Sequence, residues 1–301
     1  VGGAKLAHGL AQILPPEQLT VVVNTGDDFE HLGLHISPDL DTVMYTLAGI
    51  ANPETGWGLR DESWNFLEAL GRLGGETWFR LGDRDLATHV ERSRRLWKGE
   101  SLTEVTAALC SALGVRARLL PMTDDIVRTI VQTDEGELEF QEYFVHRRCE
   151  PRITGFRFEG LEGAFATEQV LSALDAADAV IFCPSNPFVS LDPILCLPGV
   201  RERLEHKGAV AVSPIVGGQA LKGPAAKMLA EMGVEATAAS VAAHYGGLLR
   251  RFVLDDVDAE LKPTIESEAL KVLVTNTVMK TDSDRARLAR EILEWSLIAD
   301  H

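Results

Sequence analysis

The chain has 301 residues, 46% hydrophobic and 25% charged, enough to bury a sizeable core as one large α/β domain or one domain with an inserted lobe. Its 45 acidic residues against 29 basic ones leave a formal net charge of -16, which argues against nucleic acid or an anionic membrane as partner, since both reward clustered Lys and Arg. There is no secretory signal and no apolar run near the roughly 20 residues that span a bilayer, and Cys110, Cys149, Cys183 and Cys196 form no CxxC pair, so a soluble, cytoplasmic protein with reduced thiols is expected.

In chain order, Val1-Gly2-Gly3-Ala4-Lys5 reads like the middle of a motif, with a short N-terminal strand expected ahead of it. Residues 5–14 predict a helix stopped by Pro15-Pro16. Residues 19–24 are a continuous β-branched run, as in a strand buried on both faces. A polar loop follows, then an amphipathic stretch over 40–50. Residues 64–73, 83–97 and 102–113 predict three successive helices, the second placing Leu86, Val90 and Leu96 or Trp97 near one face. They suggest a mainly helical lobe, about residues 55–115, inserted into a sheet.

Residues 119–121 and 127–132 look extended, and Asp134-Glu135-Gly136-Glu137 predicts a hairpin turn into a strand over 138–145. Further buried strands are expected at 179–183, 210–212 and 272–275, before a last helix at 282–295. This alternation implies crossover connections and a Rossmann-like, mostly parallel α/β sheet, with the whole chain 1–301 as one domain.

Ligands of open α/β sheets sit beyond the C-terminal strand ends, so the polar loops there are the places to look. Gly2-Gly3 ahead of a helix would let backbone N–H groups approach a phosphate, with Lys5 one turn on; a plain tight turn is the alternative. Asn24-Thr25-Gly26-Asp27-Asp28 follows a strand, and Asp39-Leu40-Asp41 opens the next helix. Carboxylates are hard oxygen ligands suited to Mg²⁺, though any one Asp here could be a helix cap or a turn residue. Ser185 and Asn186 lie in a loop stiffened by Pro184 and Pro187. Gly217-Gly218 and Lys222 precede a helix starting near Pro224, in a spacing that is not that of a Walker A loop. Arg80 and Arg84 could reach phosphate through their planar forks, or form solvated ion pairs, while Asp83 or Asp85 could cap the following helix. The eight histidines show no tight metal spacing and read as structural.

Together these segments resemble the 2-phospho-L-lactate transferase family of coenzyme F-420 biosynthesis. The matching stretches are residues 1–6, Asn24-Thr25-Gly26-Asp27-Asp28, Ile36-Ser37-Pro38-Asp39-Leu40-Asp41-Thr42-Val43, residues 81–89, Leu120-Pro121-Met122-Thr123-Asp124-Asp125, Pro184-Ser185-Asn186-Pro187 and residues 212–218. They run in family order over nearly the whole chain. The resemblance implies transfer of a phosphorylated three-carbon acid from a guanosine diphosphate-linked donor to the terminal ribityl hydroxyl of the deazaflavin precursor Fo, with GMP leaving. It also implies Mg²⁺ as cofactor and a homodimer. It places Fo contacts at Asp41 and Arg80, with Asp39 beside them. Asp28 and Asp41 are the catalytic candidates, and Asp28, Asp39 and Asp27 the metal candidates, the family pattern varying at Gly26-Asp27. Gly2, Gly3, Lys5, Ser185, Asn186, Gly217 and Gly218 would hold the nucleotide.

Two other classes share parts of this pattern. A YvcK-like sugar-nucleotide-binding regulator shares the glycine turn and an acidic strand-end loop, but should carry a glycine- and serine-rich stretch where this chain has residues 28–33. A nicotinamide-dependent oxidoreductase should carry a complete GxGxxG, which is missing.

Overall fold

Short β-branched runs bounded by polar turns become strands, and longer stretches of apolar residues at helical spacing become helices. The computed structural model describes residues 1–221 and 223–297. In chain order its elements are α1 (Gly2–Ile13), β1 (Thr20–Val23), β2 (Phe29–His31), β3 (Leu34–Ile36), α2 (Pro38–Leu47), α3 (Asn65–Arg72), α4 (Asp83–Leu96) and α5 (Leu102–Ala112). Next come β4 (Arg118–Pro121), β5 (Arg128–Thr133), β6 (Gly136–Glu139), β7 (Ile153–Glu159), α6 (Glu168–Ala176), β8 (Ile181–Phe182), α7 (Asp192–Leu195) and α8 (Val200–Lys207). The last are β9 (Ala209–Val212), β10 (Ile215–Val216), β11 (Gln219–Ala220), α9 (Ala225–Glu231), α10 (Ala238–Tyr245), β12 (Leu249–Leu254), α11 (Lys262–Ile265), β13 (Lys271–Val274) and α12 (Asp282–Ser296). Among the described residues no helix is long and apolar enough to cross a membrane, and the four cysteines are free thiols.

The chain divides into two compact units, Thr20–Phe165 and, in the other, Val1–Leu19 with the chain from Ala166 onward. In the first, β1 pairs in parallel with β4, Val21 opposite Leu119. β2 and β3 form an antiparallel hairpin, and β5 lies between β6 and β7 in a three-stranded antiparallel sheet. Phe29, Ile36 and Leu81 are buried together, with Leu34, Trp78, Phe79 and Leu86 against them, so the hairpin is anchored on the chain that leads into α4. In the second unit a four-stranded sheet in the order β13-β12-β9-β8 is parallel throughout. There α1 packs on α12 so closely that a Cβ on Gly9 would lie 2.2 Å from the Arg285 carbonyl oxygen.

The fold is thus mixed α/β with parallel strand pairing, and it differs from the sequence expectation at three points. The parallel strands form a pair and a four-stranded sheet, and the other sheets are antiparallel. The strand expected over 138–145 ends at Glu139, and the chain then coils; Phe140 and Tyr143 are both buried, a spacing of three that suits a helical turn. β12 escapes detection because Arg250-Arg251 interrupts its apolar run, yet Phe252, Val253 and Leu254 are wholly buried.

Candidate active site

β1 ends at Val23, and the next five residues form the strand-end loop. The Asn24 side chain accepts from the Gly26 N–H at 2.8 Å, and Asp28 N–H closes a turn on the Thr25 carbonyl at 3.2 Å. The β2–β3 hairpin then brings the chain back to the start of α2, which carries Asp39 and Asp41 in its first turn. The structure therefore brings the two acidic clusters together. Asn24 Nδ2 donates to Asp39 Oδ2 at 3.1 Å, and Ser37 Oγ donates to Asp28 Oδ2 at 2.7 Å. His35 Nε2 lies 3.0 Å from the same Asp28 oxygen. Asp27 Oδ1 and Asp28 Oδ1 are buried with no hydrogen-bond partner among the described residues. Burial, with Asp39 and Asp28 beside it, pushes the Asp27 carboxyl well above its ordinary range, and burial also raises Asp39.

Asp41 is placed differently from its neighbours. Arg92, buried in α4, closes both terminal guanidinium nitrogens on it, Nη1 donating to Oδ2 at 3.0 Å and Nη2 to Oδ1. His89 Nδ1 stands 3.6 Å from Asp41 Oδ2, and His89 Nε2 stands 3.3 Å from Asp85 Oδ1, which accepts from the Tyr45 hydroxyl at 2.7 Å. Burial raises the Asp41 carboxyl against the pull of Arg92 and His89. Burial also opposes the charge on Asp85, but His89 and Tyr45 outweigh it and hold Asp85 below its usual value. The buried face of α4 is thus Asp85, His89, Arg92 and Ser93; of the residues expected on one apolar face, Leu86 is partly buried while Val90 and Trp97 are 47% and 73% exposed. The sequence reading leaves Arg92 unmarked and takes His89 as structural. Their signal is the spacing of Asp85, His89 and Arg92 at i, i+4 and i+7, three ionisable groups along one helical face.

Arg80 is exposed, with its guanidinium carbon 4.2 Å from the centre of the Trp64 ring, a cation–π stack on the surface. Asp83 caps α3 rather than its own helix: its carboxylate accepts from the backbone N–H groups of Asn65 and Phe66 and from Ser63, holding it at about 2. Glu62 instead accepts from the Arg84 and Asp85 N–H groups at the head of α4. Arg84 donates to the Arg60 carbonyl. Asp124 accepts from Thr103 N–H, and Asp125 from Phe165 N–H, so both serve the scaffold.

The remaining predicted residues lie in the other unit. Gly2 and Gly3 meet the loop after β8: a Cβ on Gly2 would lie 2.3 Å from the Pro184 carbonyl oxygen, and one on Gly3 2.7 Å from Ser185 Oγ. Lys5 Nζ donates to the Met279 carbonyl at 3.0 Å. Asn186 caps the next turn by accepting from Phe188 N–H, and its amide nitrogen is 3.0 Å from Met228 Sδ in α9. Gly217 and Gly218, with φ of 58° and 75°, make the tight turn of the β10–β11 hairpin, a left-handed conformation that favours glycine. The Gly217 N–H donates to the carboxylate of Asp258, a residue the sequence did not mark. Lys222 lies outside the described residues.

Comparison with known proteins places the chain. The family model described as 2-phospho-L-lactate transferase CofD matches residues 1–295. The chain is 44% identical to a phosphoenolpyruvate transferase of Streptomyces griseus, covering 98% of this chain and 95% of that protein. It is 39% identical to a 2-phospho-L-lactate transferase of Methanosarcina mazei, covering 97% of each. A crystal structure of a UPF0052 family member from Bacillus halodurans superposes with a TM-score of 0.61 at 13% identity, over 97% of this chain and 96% of that one, a likeness of fold alone. The chain belongs to the CofD family of 2-phospho-L-lactate transferases.

Proposed function

We propose that the chain moves a phosphorylated three-carbon acid from a guanosine diphosphate-linked donor to the terminal ribityl hydroxyl of Fo, releasing GMP. Family membership makes it a 2-phospho-L-lactate or phosphoenolpyruvate transferase of coenzyme F-420 biosynthesis. The observation that carries the finer reading is the pair of buried, unpartnered carboxylate oxygens on Asp27 and Asp28 at the end of β1, with Asp39 tied to the same loop. Such oxygens are expensive to bury unless a ligand completes them.

Among the described residues no three His, Cys, Asp or Glu side chains converge as a preformed metal cage. Mg²⁺ ordinarily takes one or two carboxylates and completes its shell with water and substrate phosphates, so one or two of Asp27, Asp28 and Asp39 would suffice for that ion. When bound, it would neutralise charge on the donor's diphosphate. Asp28 then serves as the catalytic carboxylate. Asp41, both oxygens held by Arg92, orients Fo together with Asp39 and Arg80. Gly2, Gly3, Lys5, Ser185, Asn186, Gly217 and Gly218 hold the nucleotide. Phosphoryl transfer asks mainly for positioning and charge neutralisation, which such groups supply.

We further read residues 1–301 as one CofD-like enzyme unit, with α3 to α5 as its helical lobe, acting as a cytoplasmic homodimer on small molecules. The higher identity to the phosphoenolpyruvate transferase, 44% against 39%, supports phosphoenolpyruvate as the acid. Incubation of purified protein with Fo, Mg²⁺ and the phospholactate, phosphoenolpyruvate and phosphoglycerate adducts in parallel tests this by mass spectrometry. The phosphoenolpyruvate adduct should yield phosphodiester fastest, and Asp28→Asn should lose most turnover with its melting temperature preserved. Absence of product from all three donors, or undiminished turnover in the variant, overturns the proposal.

A further inference from the structure

We infer that His35 and Ser37 are positioning residues that turn the Asp28 carboxylate so that Oδ1 is its one open acceptor for a divalent cation. The inference rests on the proposed role of Asp28.

The geometry is asymmetric. Asp28 Oδ2 receives the Ser37 hydroxyl at 2.7 Å and faces His35 Nε2 at 3.0 Å, while Oδ1 of the same buried carboxylate has no partner among the described residues. With Asp28 ionised, both neighbours act as donors, which requires the His35 tautomer that carries its proton on Nε2. A purely structural carboxylate would satisfy both oxygens, because an unpaired buried acceptor is destabilising.

Ser37 supplies a second sign. It is the N-cap of α2, where a serine hydroxyl ordinarily accepts from a backbone N–H of the first turn. No side-chain cap bond is made at this helix, and the hydroxyl is directed at Asp28 instead. The helix gives up its usual cap in favour of the carboxylate.

His35 is itself fixed. It sits opposite Glu30 in the β2–β3 hairpin, and its backbone N–H donates to Ser93 Oγ at 2.8 Å. Ser93 Oγ in turn donates to the His89 carbonyl at 2.8 Å, so α4 sets the height of the hairpin. Hydrogen bonds behind a ligating carboxylate fix its rotamer before the ion arrives, and their loss commonly weakens metal affinity about 10–100-fold.

Mn²⁺ alone, titrated into the metal-free full-length chain and followed by electron paramagnetic resonance of the free ion, tests this without turnover. His35→Ala should raise the Mn²⁺ Kd about 10-fold or more, and Ser37→Ala should raise it as well. His35→Gln, whose amide can donate to the same oxygen, should recover most of the affinity. In turnover the His35→Ala loss should fall on kcat and on the Mg²⁺ requirement, with KM for Fo little changed, and melting curves identify any variant that fails to fold. If Asp28→Asn loses Mn²⁺ while His35→Ala and Ser37→Ala bind it like the wild type, the positioning role is wrong and the Asp28 assignment stands. If Asp28→Asn itself binds Mn²⁺ unchanged, the Asp28 assignment falls and the inference with it.

Discussion

Arg92 of α4 grips Asp41 of α2 through two parallel hydrogen bonds, and both residues are buried. A planar guanidinium matched to a carboxylate in this way is specific in direction as well as charge. Around it, His89, Asp85 and Tyr45 extend the network, so the first turn of α2 is held by the polar face of α4.

Removing one partner of such a pair leaves the other charge uncompensated in the interior. Arg92→Ala should destabilise the protein by about 3–5 kcal/mol in denaturant titration, whereas the joint change Arg92→Met with Asp41→Leu should recover most of that. Activity should be lost in both, since the second restores packing but not the oriented carboxylate. A double variant as active as the wild type would show that Asp41 is structural only.

The acidic cluster predicts an inverted response to pH. A carboxyl raised in the folded state above its usual 3.8 contributes stability that is complete below that value and is lost as pH rises through the raised one. Asp27, raised most strongly, and Asp39 both act in this sense. In chelator-treated buffer the melting temperature of the wild type should therefore fall relative to that of Asp27→Asn as pH rises from about 4 to about 8. Asp27→Asn should raise the melting temperature at the higher pH and leave it little changed near pH 4. Saturating Mg²⁺ at about 100 times its Kd should stabilise the wild type by about 2.7 kcal/mol, and the variant by less. A variant as pH-sensitive as the wild type contradicts this account.

On the proposed nucleotide side, Gly2 permits the close approach of α1 to the loop after β8. Adding one methyl brings a carbon to 2.3 Å from the Pro184 carbonyl oxygen, a backbone atom with no free rotation to escape. Gly2→Ala should displace the Pro184–Ser185 loop, raise KM for the guanosine diphosphate-linked donor several-fold and leave Fo affinity near the wild-type value. Steady-state kinetics with each substrate varied in turn separates the two.

How much of this was legible beforehand varies by element. The runs at 19–24, 210–212 and 272–275 are apolar enough to declare themselves, and β1, β9 and β13 lie within a residue or two of them. β12 was hidden because its two arginines break the run while its other residues are buried by neighbouring strands. In α4 the apolar stripe is buried only in part: Leu86 packs on the core but Val90 and Trp97 are exposed, and the fully buried face carries the charges that hold Asp41.

What the sequence by itself determined was the chemistry: acidic residues at the end of a strand and the start of a helix, glycine turns elsewhere, and a family pattern running through both. What only the tertiary structure decided was which partners each carboxylate has. Asp27, Asp28, Asp39 and Asp41 are the same side chain four times in the sequence. They differ through the partners folding gives them: Arg92 for Asp41, Asn24 for Asp39, His35 and Ser37 for Asp28, and, among the described residues, burial without a partner for one oxygen of Asp27. Local composition sets which groups are present, but a carboxylate's charge and direction are set by the field and donors that folding brings to it.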